Sequence, residues 1–236
     1  MTFWSINRIN SLLRLTENRF YLEIGVEQGH TFAGVVAELK YAVDPKFQFE
    51  LIEFNNGESR YFETTSDDFF AGLQKEQILF DVIFLDGFHE FSQTYRDLVN
   101  SLNHLAPGGF ILVDDVYPND EFSFYPNQEQ AYQQRALSVA PEPLQDYSWH
   151  GDIFKVIAIV HDYHQRLSYR TFFSNGSNPQ TVIWREYSGD RPAKFYGLND
   201  IASLKYQSLQ ENMEILNIDS DEGIFTFLAA RIGSNG

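Results

Sequence analysis

The residue types best able to do chemistry in this chain sit in two acidic stretches, FLDGFHEF (84–91) and LAPGGFILVDD (105–115). Asp86 closes one apolar run and His89 follows three residues later, while Asp114 and Asp115 close another. Carboxylates brought together need a cation or a proton to offset their repulsion. Hard oxygen ligands suit Mg²⁺, Ca²⁺ or Mn²⁺, and an added imidazole admits a transition metal. His89 could also take a hydroxyl proton as a general base. The plain alternative is that Asp86 caps the next helix, His89 is an ordinary hydrogen-bonded imidazole and one of Asp114 and Asp115 is solvated.

A second set of candidates lies upstream. Glu23-x-Gly25-x-x-x-Gly29 ends an apolar run just before a helical pattern, where glycine allows close backbone approach and a helix start offers unpaired N–H groups. The G-x-G-x-x-G spacing of dinucleotide sites is absent, which disfavours a nicotinamide oxidoreductase. Asp44 follows Gly25 by 19 residues (44 − 25), the spacing at which a carboxylate can accept hydrogen bonds from vicinal ribose hydroxyls. Ser66, Asp67 and Asp68 could meet an adenine amino group or cap the helix that begins DDFFAGL.

The elements that must position these residues alternate along the chain. FYLEI (20–24), YAVD (41–44), RYFET (60–64), FDVIFLD (80–86) and GFILVDD (109–115) read as strands, with helical spacing in HTFAGVVAELK (30–40) and QTYRDLVNSLNHL (93–105). FDVIFL and FILV are continuous apolar runs, as strands covered on both faces require. The expected fold is α/β, a doubly wound and mostly parallel sheet whose carboxyl ends form one crevice. A Pro- and aromatic-rich stretch at about 117–148 reads as an insertion or lid. DIFKVIAIVHDYHQ (152–165) reads as a helix with Asp152 as N-cap, and LSYRTFF and PQTVIWREY, joined by SNGSN, as a β-hairpin. The domain reading is an N-terminal helical segment (1–19), a core domain (20–190) and a C-terminal extension (191–236) packed on it; no role is read for the extension.

With 33 acidic and 17 basic side chains the formal net charge is −16, which opposes phosphate binding and argues against a nucleic-acid partner. Cysteine is absent, so thiolate catalysis and Cys-based metal sites are excluded. No apolar run is long enough for a membrane span, and the N-terminus lacks a signal-peptide pattern, so a cytoplasmic protein is expected. Phe3, Trp4, Ile6, Leu12 and Leu13 could pack on the domain or on a second copy of the chain.

Over roughly residues 20–185 the chain resembles the class I S-adenosylmethionine-dependent methyltransferases. Within them it is similar to small-molecule O-methyltransferases with D-G-x-H after the fourth strand and an L-x-P-G-G fifth strand ending in an acidic or amide pair. The resemblance implies a Rossmann-like, seven-stranded sheet with an antiparallel last strand. It implies S-adenosylmethionine as cofactor, held by Glu23, Gly25, Gly29, Asp44, Ser66, Asp67 and Asp86. Asp86, Asp114 and Asp115 match the positions that ligate Mg²⁺ (or Mn²⁺ or Ca²⁺) in metal-dependent members. His89 stands where catechol-type members carry a lysine base, so Asp86 and His89 are the candidate catalytic residues. WHGDIFK (149–155) is similar to a segment that shapes the substrate side. The implied activity is O-methylation of a small hydroxylated metabolite; the alternative is a catalytically degenerate member that only binds the cofactor or its product.

Overall fold

The computed structural model describes residues 3–16, 19–50, 58–73, 78–138, 148–174, 176–187 and 189–233. Its sheet is built from β1 (Phe20–Ile24), β2 (Leu39–Asp44), β3 (Ser59–Glu63), β4 (Phe80–Leu85), β5 (Leu105–Val113), β6 (Leu167–Phe172), β7 (Gln180–Arg185) and a two-residue β8 (Ile218–Asp219). The order is β3-β2-β1-β4-β5-β7-β6-β8. β7 alone runs against its neighbours, pairing antiparallel with both β5 and β6. The reversed strand is as expected from the hairpin, but the sheet has eight strands rather than seven. β8 adds to the far edge, parallel to β6. It escapes sequence reading because two residues carry no periodicity.

Both faces of the sheet are covered, and the strands alternate between them. Leu22, Tyr41, Ile83 and Ile111 face one core; Tyr21, Ala42, Val82 and Phe110 face the other. All six residues of β4 are buried, which is why FDVIFL reads as a continuous apolar run. The first core takes α3 (Ser66–Leu73), α4 (Phe91–Asn103) and α6 (Phe154–Tyr163). It also takes the C-terminal elements α7 (Leu198–Ala202), α8 (Tyr206–Glu211) and a 3-10 turn at Met213–Leu216. The second takes α1 (Phe3–Leu13), α2 (His30–Gly34) and α9 (Asp221–Gly233). Ile9, Leu12 and Leu13 of α1 are buried in this layer, so the N-terminal segment packs on its own domain.

Two local expectations are corrected. HTFAGVVAELK does not stay helical to Lys40: α2 spans five residues and Lys40 lies in β2. Ile6 of α1 occupies the face at Gly34, where an added Cβ would come within 2.6 Å of its Cδ1. The buried Lys40 ammonium donates to the carbonyls of Phe32 (2.8 Å) and Val35 (3.2 Å), so it satisfies acceptors that another helical turn would have taken. Asp152 is not the N-cap of α6. Ile153 precedes the helix without a side-chain cap, while Asp152 accepts from the Phe91 N–H and pairs with Lys155, both within 2.8 Å.

The described part of 117–148 is pinned rather than irregular throughout. It contains α5 (Gln128–Leu137), capped by Asn127, and the Arg135–Asp120 ion pair at 2.8 Å holds that helix to the preceding turns. Pro141, Pro143 and Tyr147 of the expected insertion lie outside the described residues. No helix among the described residues is long and apolar enough to cross a membrane.

Candidate active site

The loops leaving β1, β2 and β4 enclose a cleft of about 770 Å³, within the usual range for small-molecule and cofactor pockets. Glu23, Gly25, Asp44, Ser66, Asp67 and Asp86 all line it; Gly29 does not. Gly25 has φ +86°, and a Cβ there would lie 2.0 Å from the Asp86 carbonyl oxygen. Its glycine therefore lets β1 and β4 exit side by side, and the cleft forms above that crossing. Gly29 (φ +74°) opens α2 against the Phe49 ring.

Asp44 accepts from the N–H groups of Val26 and Glu27 on one oxygen (both 2.9 Å) and of Lys46 on the other (2.8 Å). A carboxylate has about four acceptor positions, so roughly one remains open to the cleft. Glu23 is 2 % exposed and accepts from the Tyr21 hydroxyl at 2.6 Å. Burial pushes its carboxyl up to about 8, against the opposing pull of Tyr21. A raised carboxyl contributes stability below its unfolded pKa and loses it as pH rises through the folded value. Wild type should thus lose more stability than Glu23→Gln between about pH 5 and about pH 9, the two converging at the acid end. Urea midpoints across that range check this, and parallel curves would show that Glu23 ionises normally.

Ser66 and Asp67 are not the cap of α3. Thr65 is, its Oγ1 accepting from the Asp68 N–H at 3.2 Å and donating to the Asp68 carboxylate at 2.9 Å. Ser66 instead accepts from Gln93 (3.1 Å), and Asp67 pairs with Arg96 (3.2 Å). Asp97, unread in the sequence, joins them: it lines the cleft, is 3 % exposed, accepts from Gln93 at 3.1 Å, and burial raises it to about 6.

Deeper in the site, Asp86, His89 and Asp115 converge, each offering a ligand atom within 4.8 Å of the others. His89 Nε2 lies 3.1 Å from Asp115 Oδ2 and 3.7 Å from Asp86 Oδ1. Glu90, not Asp86, caps α4 by accepting from the Gln93 N–H. His89 Nδ1 donates to the Trp149 carbonyl at 3.0 Å, and the two rings stack at 4.6 Å. Burial opposes charge on His89, but Asp115 and Asp86 outweigh it and lift the imidazole to about 10. Without a bound ion the ring is thus held as a cation between two carboxylates, and a divalent ion would take Nε2 as a ligand by displacing that proton. Desolvation, together with the charge of Asp115 and against the bond from His89, raises Asp86 to about 6.

Asp114 faces elsewhere. Its Oδ1 accepts from the Asp115 N–H (2.8 Å) and the Asn178 amide (2.6 Å), and its Oδ2 from the Gln180 amide (2.9 Å). Three donors engage both oxygens of this buried carboxylate, and it is not in the converging group. The bend that separates the two acids is at Asp115, whose φ of +57° is a left-handed conformation that Asp tolerates better than most residues.

Segment 149–152 supports the cluster from behind. Trp149 holds His89, and the buried His150 places Nε2 3.8 Å from Asp115 Oδ1. Gly151 (φ +63°) lies where a Cβ would be 1.7 Å from the His89 carbonyl oxygen. The WHGD run is visible in the sequence, but its contact with residue 89 is a product of the fold. A donor set of two carboxylates and one imidazole, with Nδ1 already engaged so that Nε2 is the ligand atom, fits a divalent metal.

Residues 22–116 match a family model described as a methyltransferase domain, from within β1 to the residue after Asp115. Over that stretch the chain is similar to a methyltransferase domain. Solved structures share its fold. One is an O-methyltransferase from Bacillus cereus in complex with SAH, at TM-score 0.53 and 15 % identity over 78 % of this chain and 80 % of that one. Another is the O-methyltransferase TomG from Streptomyces achromogenes, involved in tomaymycin synthesis, in complex with SAM, at 0.50 and 15 % over 79 % and 81 %. A third is an O-methyltransferase family protein from Burkholderia thailandensis, at 0.51 and 14 % over 79 % and 57 %. No curated protein matches the chain significantly. The match to a methyltransferase domain and the shared fold are those anticipated from the glycine motif and the two acidic stretches.

Proposed function

We propose that the protein transfers a methyl group from S-adenosylmethionine to an oxygen of a small hydroxylated acceptor, with a divalent metal on Asp86, His89 and Asp115. The observation that carries this reading is the joining of that cluster to a cofactor-sized cleft within a methyltransferase domain. Glu23 near the end of β1, Asp44 at the end of β2, Ser66 and Asp67 of α3 and Asp97 of α4 all line the cleft. These positions suit the amino-acid, ribose and base parts of the cofactor in turn. Among the described residues the lining contains carboxylates and no Lys or Arg, which suits a cationic sulfonium.

Methyl transfer to oxygen needs the nucleophile held in line and its pKa lowered. A bound divalent ion would supply the second by polarising the acceptor hydroxyl so that its proton is lost to solvent, the methyl group passing to the oxygen and S-adenosylhomocysteine leaving as the neutral thioether. The chain's own residues supply the first: Trp149 fixes the His89 ring, Asn178 and Gln180 fix the acidic pair, and the exposed Phe88 lines the cleft. Asp114 then acts by holding Asp115 rather than as a ligand, and His89 as a ligand rather than a base.

Asp44→Ala is expected to weaken binding of S-adenosylhomocysteine by roughly 10- to 100-fold, the worth of one lost charge-assisted hydrogen bond of about 1.5–3 kcal/mol. Calorimetric titration checks this; unchanged affinity would remove Asp44 from the cofactor site.

A further inference from the structure

The N-terminal helix reaches the acidic pair through a continuous buried chain of hydrogen bonds. Arg8 of α1 is 1 % exposed. Its guanidinium donates to the Asn178 carbonyl (2.7 Å), the Gln180 side-chain oxygen (3.0 Å) and the Ser177 hydroxyl (2.9 Å), and pairs with Asp221 of α9 at 2.7 Å. Taking Arg8 on its oxygen fixes the Gln180 amide in one orientation. The amide nitrogen must then donate, and it does so to Asp114 Oδ2 (2.9 Å) and the Ser5 hydroxyl (2.7 Å). Arg8 also holds the Asn178 backbone, whose side-chain nitrogen donates to both Asp114 Oδ1 (2.6 Å) and Asp115 Oδ1 (2.9 Å). That leaves Asp115 Oδ2 facing His89 at 3.1 Å.

We infer that Arg8, Gln180 and Asn178 are positioning residues for the metal-binding carboxylate. They engage both oxygens of Asp114, hold it away from the ligand set and aim one oxygen of Asp115 at the site. The inference rests on the metal reading above. Three regions remote in sequence, at residues 8, 178–180 and 221, meet to do this, so the ligand geometry depends on α1 and α9 being docked. Outer-shell partners of this kind characteristically change metal affinity 10- to 100-fold when removed.

The test compares wild type with Asn178→Ala and Arg8→Met. Mn²⁺ binding is read from the loss of the free-ion electron paramagnetic resonance signal, and S-adenosylhomocysteine binding by calorimetry. Asn178 lies on a partly exposed loop, so its variant should fold even where removal of the buried Arg8 does not. Asn178→Ala should weaken Mn²⁺ at least tenfold while leaving the nucleoside ligand within about twofold, and Asn178→Gln should not restore the affinity. Unchanged Mn²⁺ affinity in the variants would overturn the inference. An equal fall in both ligands would do so too, because the network would then be holding the fold rather than the carboxylate. Absence of Mn²⁺ binding in wild type would defeat the metal reading itself, and this inference with it.

Discussion

Asp115→Asn is expected to abolish the response of turnover to added Mn²⁺ or Mg²⁺ and to lower turnover at least about a thousandfold, roughly 4 kcal/mol. S-adenosylhomocysteine should still bind within about twofold of wild type. The asymmetry follows from geometry: Asp115 belongs to the converging cluster, whereas Asp44 and Glu23 line the cleft without belonging to it. Asparagine is the informative replacement because it tolerates the left-handed backbone at φ +57°, keeps an oxygen for the Asn178 amide and removes only the charge. Asp115→Ala adds a backbone cost of about 1–2 kcal/mol and should therefore also lower the unfolding midpoint. Single-turnover assays with and without metal, paired with calorimetry, make the comparison. Equal loss of turnover and nucleoside affinity would mean that the two sites are one.

The other large effect is expected at Gly151. Gly151→Ala forces a Cβ to within 1.7 Å of the His89 carbonyl oxygen and 2.6 Å of its carbon, both backbone atoms that no rotamer change can move. Relief requires the 149–152 segment to separate from residues 89–91, breaking the Trp149–His89 and Asp152–Phe91 hydrogen bonds together. A destabilisation above about 4 kcal/mol is expected, which in a domain of this size lowers the unfolding midpoint by roughly 10 °C. Gly108 supplies the control, since it has φ +79° but nothing within 4 Å of an added Cβ. Gly108→Ala should lose only the conformational term, about 1–2 kcal/mol. Calorimetric melting of both variants separates collision from backbone preference; similar midpoints would contradict the packing described at Gly151.

What the sequence made legible was set by periodicity and local chemistry. FDVIFL and FILV announced strands covered on both faces, and β4 and the end of β5 are buried throughout. The glycine motif and both acidic stretches placed the cleft at the strand ends. Which of two adjacent acids joins Asp86 and His89 was not legible, because neighbouring residues leaving a strand point to opposite sides and the choice depends on the bend at Asp115. His89 was readable as a base, a ligand or neither; the Trp149 carbonyl, sixty residues on, fixes its Nδ1 and makes Nε2 the available atom. The C-terminal region hid its role because α7, α8 and the turn after them each bury only one or two side chains, Ile201, Leu209, Ile215 and Leu216. No stripe of helical period survives in such short pieces. Arg8 carried no signal at all: a lone arginine in an amphipathic helix reads as solvated until its partners at 178, 180 and 221 are placed around it.

The most direct test of the central claim is a calorimetric titration of chelator-treated protein with S-adenosylhomocysteine and then with Mn²⁺, repeated in the reverse order and with Asp115→Asn. Wild type is expected to bind each ligand saturably and one-to-one, with the Mn²⁺ heat lost and the nucleoside heat retained in the variant. Absence of nucleoside binding to wild type, or Mn²⁺ binding that survives the loss of the Asp115 charge, would contradict that claim.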